Sequence, residues 1–189
     1  MKRTTKALSL MLILVVAVVT LTGCSMTKEG MTNDLEGLAV YTASEDMTGY
    51  TKCEEMEGIE FYYPSNYVSV GKDAQPMYMD PEIAGASVNL VSDNFPSAFT
   101  FEGYIDASII GIKNQMTVKG DISKEYINLN GVKAGKIEYV ATTDDENYMK
   151  LTQVIIVKES KAYILTVGAL ENDYEALKPK LEQMVKSFK

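Results

Sequence analysis

Ile127-Asn128-Leu129-Asn130-Gly131-Val132-Lys133-Ala134 is the stretch that decides the fold. Asn-Gly is the pair that most readily takes positive φ at both central positions of a type I′ turn, and that turn matches the twist of two paired strands. The chain therefore reverses here, between a strand over Ile122–Leu129 and a return strand over Val132–Ala141. The polar loop Thr142-Thr143-Asp144-Asp145-Glu146-Asn147 leads to a third strand, Tyr148–Val157, and Lys158-Glu159-Ser160-Lys161 turns into a fourth, Ala162–Val167. Three short connections in succession predict an antiparallel meander. Val154-Ile155-Ile156-Val157 and Tyr163-Ile164-Leu165 are apolar on both faces, which places these two strands at the centre of a sheet covered on both sides.

Working outward, a helix precedes the meander. Thr100 is a suitable N-cap with Glu102 in the first turn, and Phe101, Tyr104, Ile105, Ile109, Ile112 and Met116 recur at helical spacing. Gly103 and Gly111 each weaken it by ~1 kcal/mol relative to Ala, so packing on the sheet must offset the loss. A second helix follows the meander, from Asn172 to Phe188, with an apolar stripe of Tyr174, Leu177, Leu181, Met184, Val185 and Phe188. Pro179 lies inside it; either the helix kinks there or it starts afresh with Pro179 in its first turn. Before the first helix, Ile59–Tyr63, Tyr67–Val70, Gln75–Met79 and Ser87–Val91 read as short strands separated by Pro, Gly and Asp. The whole is α+β, an antiparallel meander with two helices packed on it; the alternative is a small β-barrel with a C-terminal helix.

The N-terminal end has a different character. Lys2, Arg3 and Lys6 precede an apolar run from Ala7 to Leu21, too short for a span of ~20 residues but suited to a secretory signal. Its ending, Leu21-Thr22-Gly23-Cys24, resembles the lipobox of bacterial lipoproteins. That resemblance implies a diacylglyceryl group on the Cys24 thiol, removal of residues 1–23, and a protein anchored by lipid on the extracytoplasmic face of the cell membrane. Residues 24–57 lack an apolar period and read as a tether, with Leu35, Leu38, Val40 and Tyr41 as one patch able to dock; the domain proper is expected over 58–189. Removal of residues 1–23 takes away three basic and no acidic residues, leaving 15 basic against 26 acidic and a net charge of −11. Such a surface disfavours nucleic acid and is repelled by anionic lipid, so the membrane contact falls to the acyl chains.

Phe61-Tyr62-Tyr63-Pro64-Ser65-Asn66-Tyr67, the Asn130-Gly131-Val132 hairpin and the closing Ser187-Phe188-Lys189 resemble, in their order, the PsbP-like fold. There a strand ends in Tyr-Pro and an aromatic follows, usually Trp; Tyr67 stands in its place here. The family includes an extrinsic subunit of the oxygen-evolving photosystem, a nuclear Ran-binding relative and many bacterial lipoproteins. What the resemblance implies is a fold over about residues 57–189 and a habit of docking on larger partners, with no catalytic residues to carry over.

The chain has no histidine and no tryptophan, which removes Ser-His-Asp and Cys-His nucleophile systems, and His-ligated zinc or haem. With Cys24 lipidated, Cys53 has no internal partner and is either an incidental thiol or the site of an intermolecular disulfide. Asp144, Asp145 and Glu146 form the densest acidic cluster, but without the ligand spacing of a calcium loop they read as a solvated hairpin loop and a weak metal candidate. Met77 and Met79 share a strand face and read as core, not as soft-metal ligands. Tyr62, Tyr63 and Tyr67 around Pro64 are the candidate binding face. No spacing singles out a catalytic pair. The expected function is a monomeric, non-catalytic accessory lipoprotein that docks on an envelope protein and needs no cofactor; the alternative is a lipid-anchored receptor for a small solute or metal ion.

Overall fold

The computed structural model describes residues 35–56, 58–71, 75–142 and 146–189 of the 189-residue chain. The meander stands as expected, with three of its strands longer and the third shifted by one residue: β7 (Thr117–Leu129), β8 (Val132–Thr142), β9 (Met149–Lys158) and β10 (Lys161–Leu170). Asn130 and Gly131 take φ of 52° and 86°, the double positive φ that the turn requires. Six short or medium strands and one helix precede it: β1 (Ala39–Tyr41) lies against β7, β2 (Tyr50–Lys52) and β3 (Tyr62–Pro64) form a hairpin-like pair of their own, β4 (Val68–Ser69) and β5 (Met77–Met79) pair with each other, β6 (Ser87–Asn94) lies against β10, and α1 (Phe101–Gln115) follows. The chain closes with α2 (Glu171–Ser187).

The main sheet has eight strands in the order β1-β7-β8-β9-β10-β6-β5-β4, where β1 is Ala39–Tyr41. It is open at both edges, so the small-barrel alternative does not apply. β9 and β10 are central, as their two-sided apolar pattern requires. One pairing departs from the antiparallel expectation: β1 runs parallel to β7, with Ala39 opposite Ile127 and Tyr41 opposite Leu129.

Each face of the sheet carries one helix. Ile137, Tyr139, Leu151, Ile155 and Ile164 point to α1 and pack with Tyr104, Ile105 and Ile112. Ile127, Leu129, Val154, Ile156, Leu165 and Val167 point the other way and pack with Tyr174, Leu177, Leu181, Met184, Val185 and Phe188 of α2. Strand alternation generates the two cores from one sequence run. α1 begins where expected, with the Gly103 N–H donating to Thr100 Oγ1 at 3.0 Å. It comes close to β8 because Gly135 has no side chain; a Cβ there would lie 2.4 Å from Cδ1 of Ile105. Pro179 does not start a new helix: α2 is continuous through it.

Part of the stretch expected as tether is built into the domain. β1 and β2 lie within it, and Cys53 is buried in the α2-side core with Ile59 and Phe61. The apolar period is missing because these residues contribute single anchors, one or two at a time, and short edge pairings. The signal segment 1–23, Cys24 and the tether up to residue 34 lie outside the described residues.

Candidate functional site

Tyr62, Tyr63 and Tyr67 do not form an exposed face. Tyr67 is buried, only 6% exposed, with its ring in the α2-side core. Tyr63 is half-buried and stacks on Tyr78, ring centroids 3.6 Å apart and 12° from parallel, with Phe61 edge-on to the same Tyr78 ring. Tyr62 gives its backbone N–H to Ser187 Oγ at 2.9 Å. The reason is local: the strand ending at Pro64 lies against the C-terminal end of α2, so its aromatic residues fill the seam.

Cys53 belongs to the same seam. Its thiol is 3.6 Å from the Tyr78 hydroxyl, which donates to Glu55 Oε1 at 2.7 Å. Burial pushes the thiol pKa up. Such a thiol is a poor nucleophile and is hidden from a partner chain, which removes the intermolecular disulfide. Of the acidic cluster, Glu146 is exposed, while Asp144 and Asp145 lie outside the described residues. Met77 and Met79 are half-buried, and the side chain that enters the core from this strand is Tyr78.

The site that sequence reading missed lies beside α2. Lys136 on β8 rises from the sheet with 12% of its side chain exposed, and its ammonium bridges Glu125 of β7 at 2.7 Å and Glu138 at 3.2 Å. The Tyr41 hydroxyl accepts from it at 3.4 Å, and the Tyr41 ring centroid is 5.5 Å away. Thr152 of β9 continues the chain of contacts, donating to Glu138 Oε1 at 3.3 Å and sharing a 2.8 Å hydrogen bond with the Tyr174 hydroxyl. Lys150 covers the Tyr174 ring at 4.4 Å and pairs with Glu175 at 2.7 Å. Tyr41, Lys136, Glu138, Thr152, Tyr174 and Glu182 line a cleft there of about 20 Å³.

The electrostatics of this cleft favour pairing over proton transfer. Burial opposes the charge on Lys136, but the hydrogen bond to Glu125 and the Glu138 carboxylate outweigh it and hold the ammonium above the ordinary lysine range. A lysine held so firmly protonated is no base or nucleophile near neutrality. Burial also raises the Tyr174 phenol, with the Thr152 hydrogen bond opposing it in part. A volume of about 20 Å³ admits a water molecule, whereas small-molecule sites run to roughly 300 Å³ or more. The signal that could have pointed here is Lys136 and Glu138 at alternate positions on a strand whose neighbours are apolar. Among the described residues, no group of three or more His, Cys, Asp or Glu side chains is placed to hold a metal ion.

Comparison with known proteins bears on the fold. The PsbP family model matches residues 110–189, which includes the Asn130-Gly131 turn and the closing Ser187-Phe188 but not the Tyr-Pro segment. No curated protein matches the chain significantly. Among solved structures, the cyanobacterial PsbP (CyanoP) of Synechocystis is similar at a TM-score of 0.55 and 12% identity, over 78% of this chain and 95% of that one. A Pseudomonas aeruginosa protein of unknown function, described as a putative regulator, is similar at 0.50 and 16% identity, over 72% of this chain and 94% of that one. The likeness to cyanobacterial PsbP shows that the described domain has the PsbP-like fold.

Proposed function

We propose that this protein is a lipid-anchored, extracytoplasmic, non-catalytic accessory lipoprotein that docks on a protein of the cell envelope. The observation that carries the non-catalytic part is the cleft beside α2, where Lys136 is held between Glu125 and Glu138. Its charged groups are committed to one another, and the space among them suits a water molecule and no metabolite. The order of charge, apolar run and Leu21-Thr22-Gly23-Cys24 supports the anchor, and the likeness in fold to cyanobacterial PsbP supports the accessory role. Docking is assigned to the rim of this cleft, where half-buried Tyr41 and Glu182 offer an aromatic ring and a carboxylate to a partner carrying basic side chains.

Two measurements test the reading. Labelled palmitate should enter the wild-type chain and not Cys24→Ala; label in the variant refutes the anchor. Photo-crosslinkers at Tyr41 and Glu182 in the full-length protein, expressed in its own membranes, should each trap one and the same envelope protein. Trapping at neither position removes this rim as the docking face. Turnover of a defined substrate by the purified protein, lost in Glu138→Gln, overturns the non-catalytic assignment.

A further inference from the structure

We propose that Tyr67, Asp80 and Lys180 hold a buried water molecule that ties the segment after Pro64 to helix α2. The Tyr67 hydroxyl oxygen is fully buried and, among the described residues, has no hydrogen-bond partner. Buried hydroxyls are rarely left so, and one that is calls for a bound water or ion. Asp80, near enough for its carboxylate to act electrostatically on that hydroxyl, has 2% of its side chain exposed. Its Oδ1 accepts the backbone N–H groups of Glu82 and Ile83 at 2.9 and 3.3 Å. Its Oδ2 has Lys180 Nζ at 3.5 Å, long against the ~2.7–2.9 Å of a charge-assisted hydrogen bond, so acceptor capacity remains unused. Lys180 Nζ also lies 5.6 Å from the Tyr67 ring centroid, which brings ammonium, carboxylate and phenol to one place.

The three groups define the chemistry of what sits among them. Tyr67 supplies an O–H donor, Lys180 N–H donors, and Asp80 an acceptor. A cation meets the ammonium and an anion meets the carboxylate, so the ligand is neutral. It must both accept and donate, and it must fit a core position beside the aromatic seam. A water accepting from Tyr67 and Lys180 and donating to Asp80 Oδ2 has three partners, the usual number for an integral water. Burial, and next the Asp80 carboxylate, raise the Tyr67 phenol pKa, which keeps the donor proton in place.

The test uses the full-length protein in detergent. Tyr67→Phe keeps the ring and deletes the hydroxyl. If the hydroxyl is bridged by water, the unfolding midpoint falls by ~2–4 °C, the shift expected from the loss of about one hydrogen bond in a chain of this size. An unbonded hydroxyl gives an unchanged or higher midpoint, and that result overturns the proposal. A crystal structure of the wild-type protein supplies the independent reading, whatever the behaviour of the variant. Density for a water within ~2.7–3.2 Å of both Tyr67 Oη and Asp80 Oδ2 is expected. Tyr67 bonded directly to Asp80, or no water at this position, overturns the proposal.

Discussion

Asn130 shows how much one residue can carry. Its backbone makes the I′ turn, and its N–H donates to Tyr41 O at 2.9 Å, which holds β1. Its side-chain amide donates to Lys186 O and Phe188 O at 2.8 and 3.0 Å, satisfying carbonyls at the end of α2, while Oδ1 accepts from Ala43 N–H at 2.8 Å. Asn130→Gly keeps the positive φ and loses all three side-chain bonds. It should destabilise the fold by about 1–3 kcal/mol in chemical denaturation, the cost of leaving partly buried groups unpaired. A loss near zero means the turn geometry alone matters. Ile155 is the matching test in the core. It is fully buried against α1 on a central strand, so Ile155→Ala should cost ~2–5 kcal/mol, whereas an edge position would cost far less.

At the scale of elements, α2 accommodates a proline because of where the proline points. Pro179 removes the N–H that would bond the Glu175 carbonyl, and both residues lie on the exposed side, so water can take that carbonyl. The buried stripe on the opposite side holds the helix together through the break. Pro179→Ala should therefore stabilise the protein by about 2 kcal/mol, from ~3 kcal/mol of helix propensity less ~1 kcal/mol of unfolded-chain entropy. Thermal denaturation of the two proteins decides it, and a destabilised variant shows that the ring itself is needed. The three motifs of the PsbP-like resemblance meet at the C-terminal end of this helix. Tyr62 bonds Ser187, Asn130 bonds Lys186 and Phe188, and Glu60 exchanges backbone hydrogen bonds with Lys189 at 2.8 and 2.9 Å. Their common role is to close the α2-side core, which explains why the Tyr-Pro segment gives no binding face.

For the molecule as a whole, buried phenols set the behaviour at high pH. Burial, and next Asp93, push Tyr104 from 10.0 up to about 12. Burial likewise raises Tyr67, Tyr78 and Tyr139. A phenol whose pKa is higher folded than unfolded leaves stability intact below about pH 10 and reduces it as pH rises from the unfolded value through the folded one, because the unfolded chain releases the proton first. Lys136, also raised, acts in the same direction. The denaturation midpoint should hold steady to about pH 9 and then fall, with phenolate absorbance of the buried tyrosines appearing together with unfolding. Phenolate formed by these residues before any loss of structure contradicts their burial.

Local chemistry settled most of the architecture. Asn130-Gly131 fixed a turn, two-sided apolar runs at residues 154–157 and 163–165 fixed the central strands, and helical spacing with Thr100 as cap fixed α1 to within a residue. These signals are periodic or conformational and act over a few residues, so one chain read in order suffices. The parallel docking of β1, the burial of Cys53 and Tyr67, and the cleft of Tyr41, Lys136, Glu138, Thr152 and Tyr174 were not legible that way. Each depends on pairing residues far apart in the sequence: Tyr41 with Leu129 and with Lys136, Thr152 with Tyr174. A three-residue edge strand has no period to detect, and whether a tyrosine or lysine is exposed depends on which helix lies over it. Only the tertiary structure decides that, because burial is a property of surfaces brought together and not of the residues that carry them.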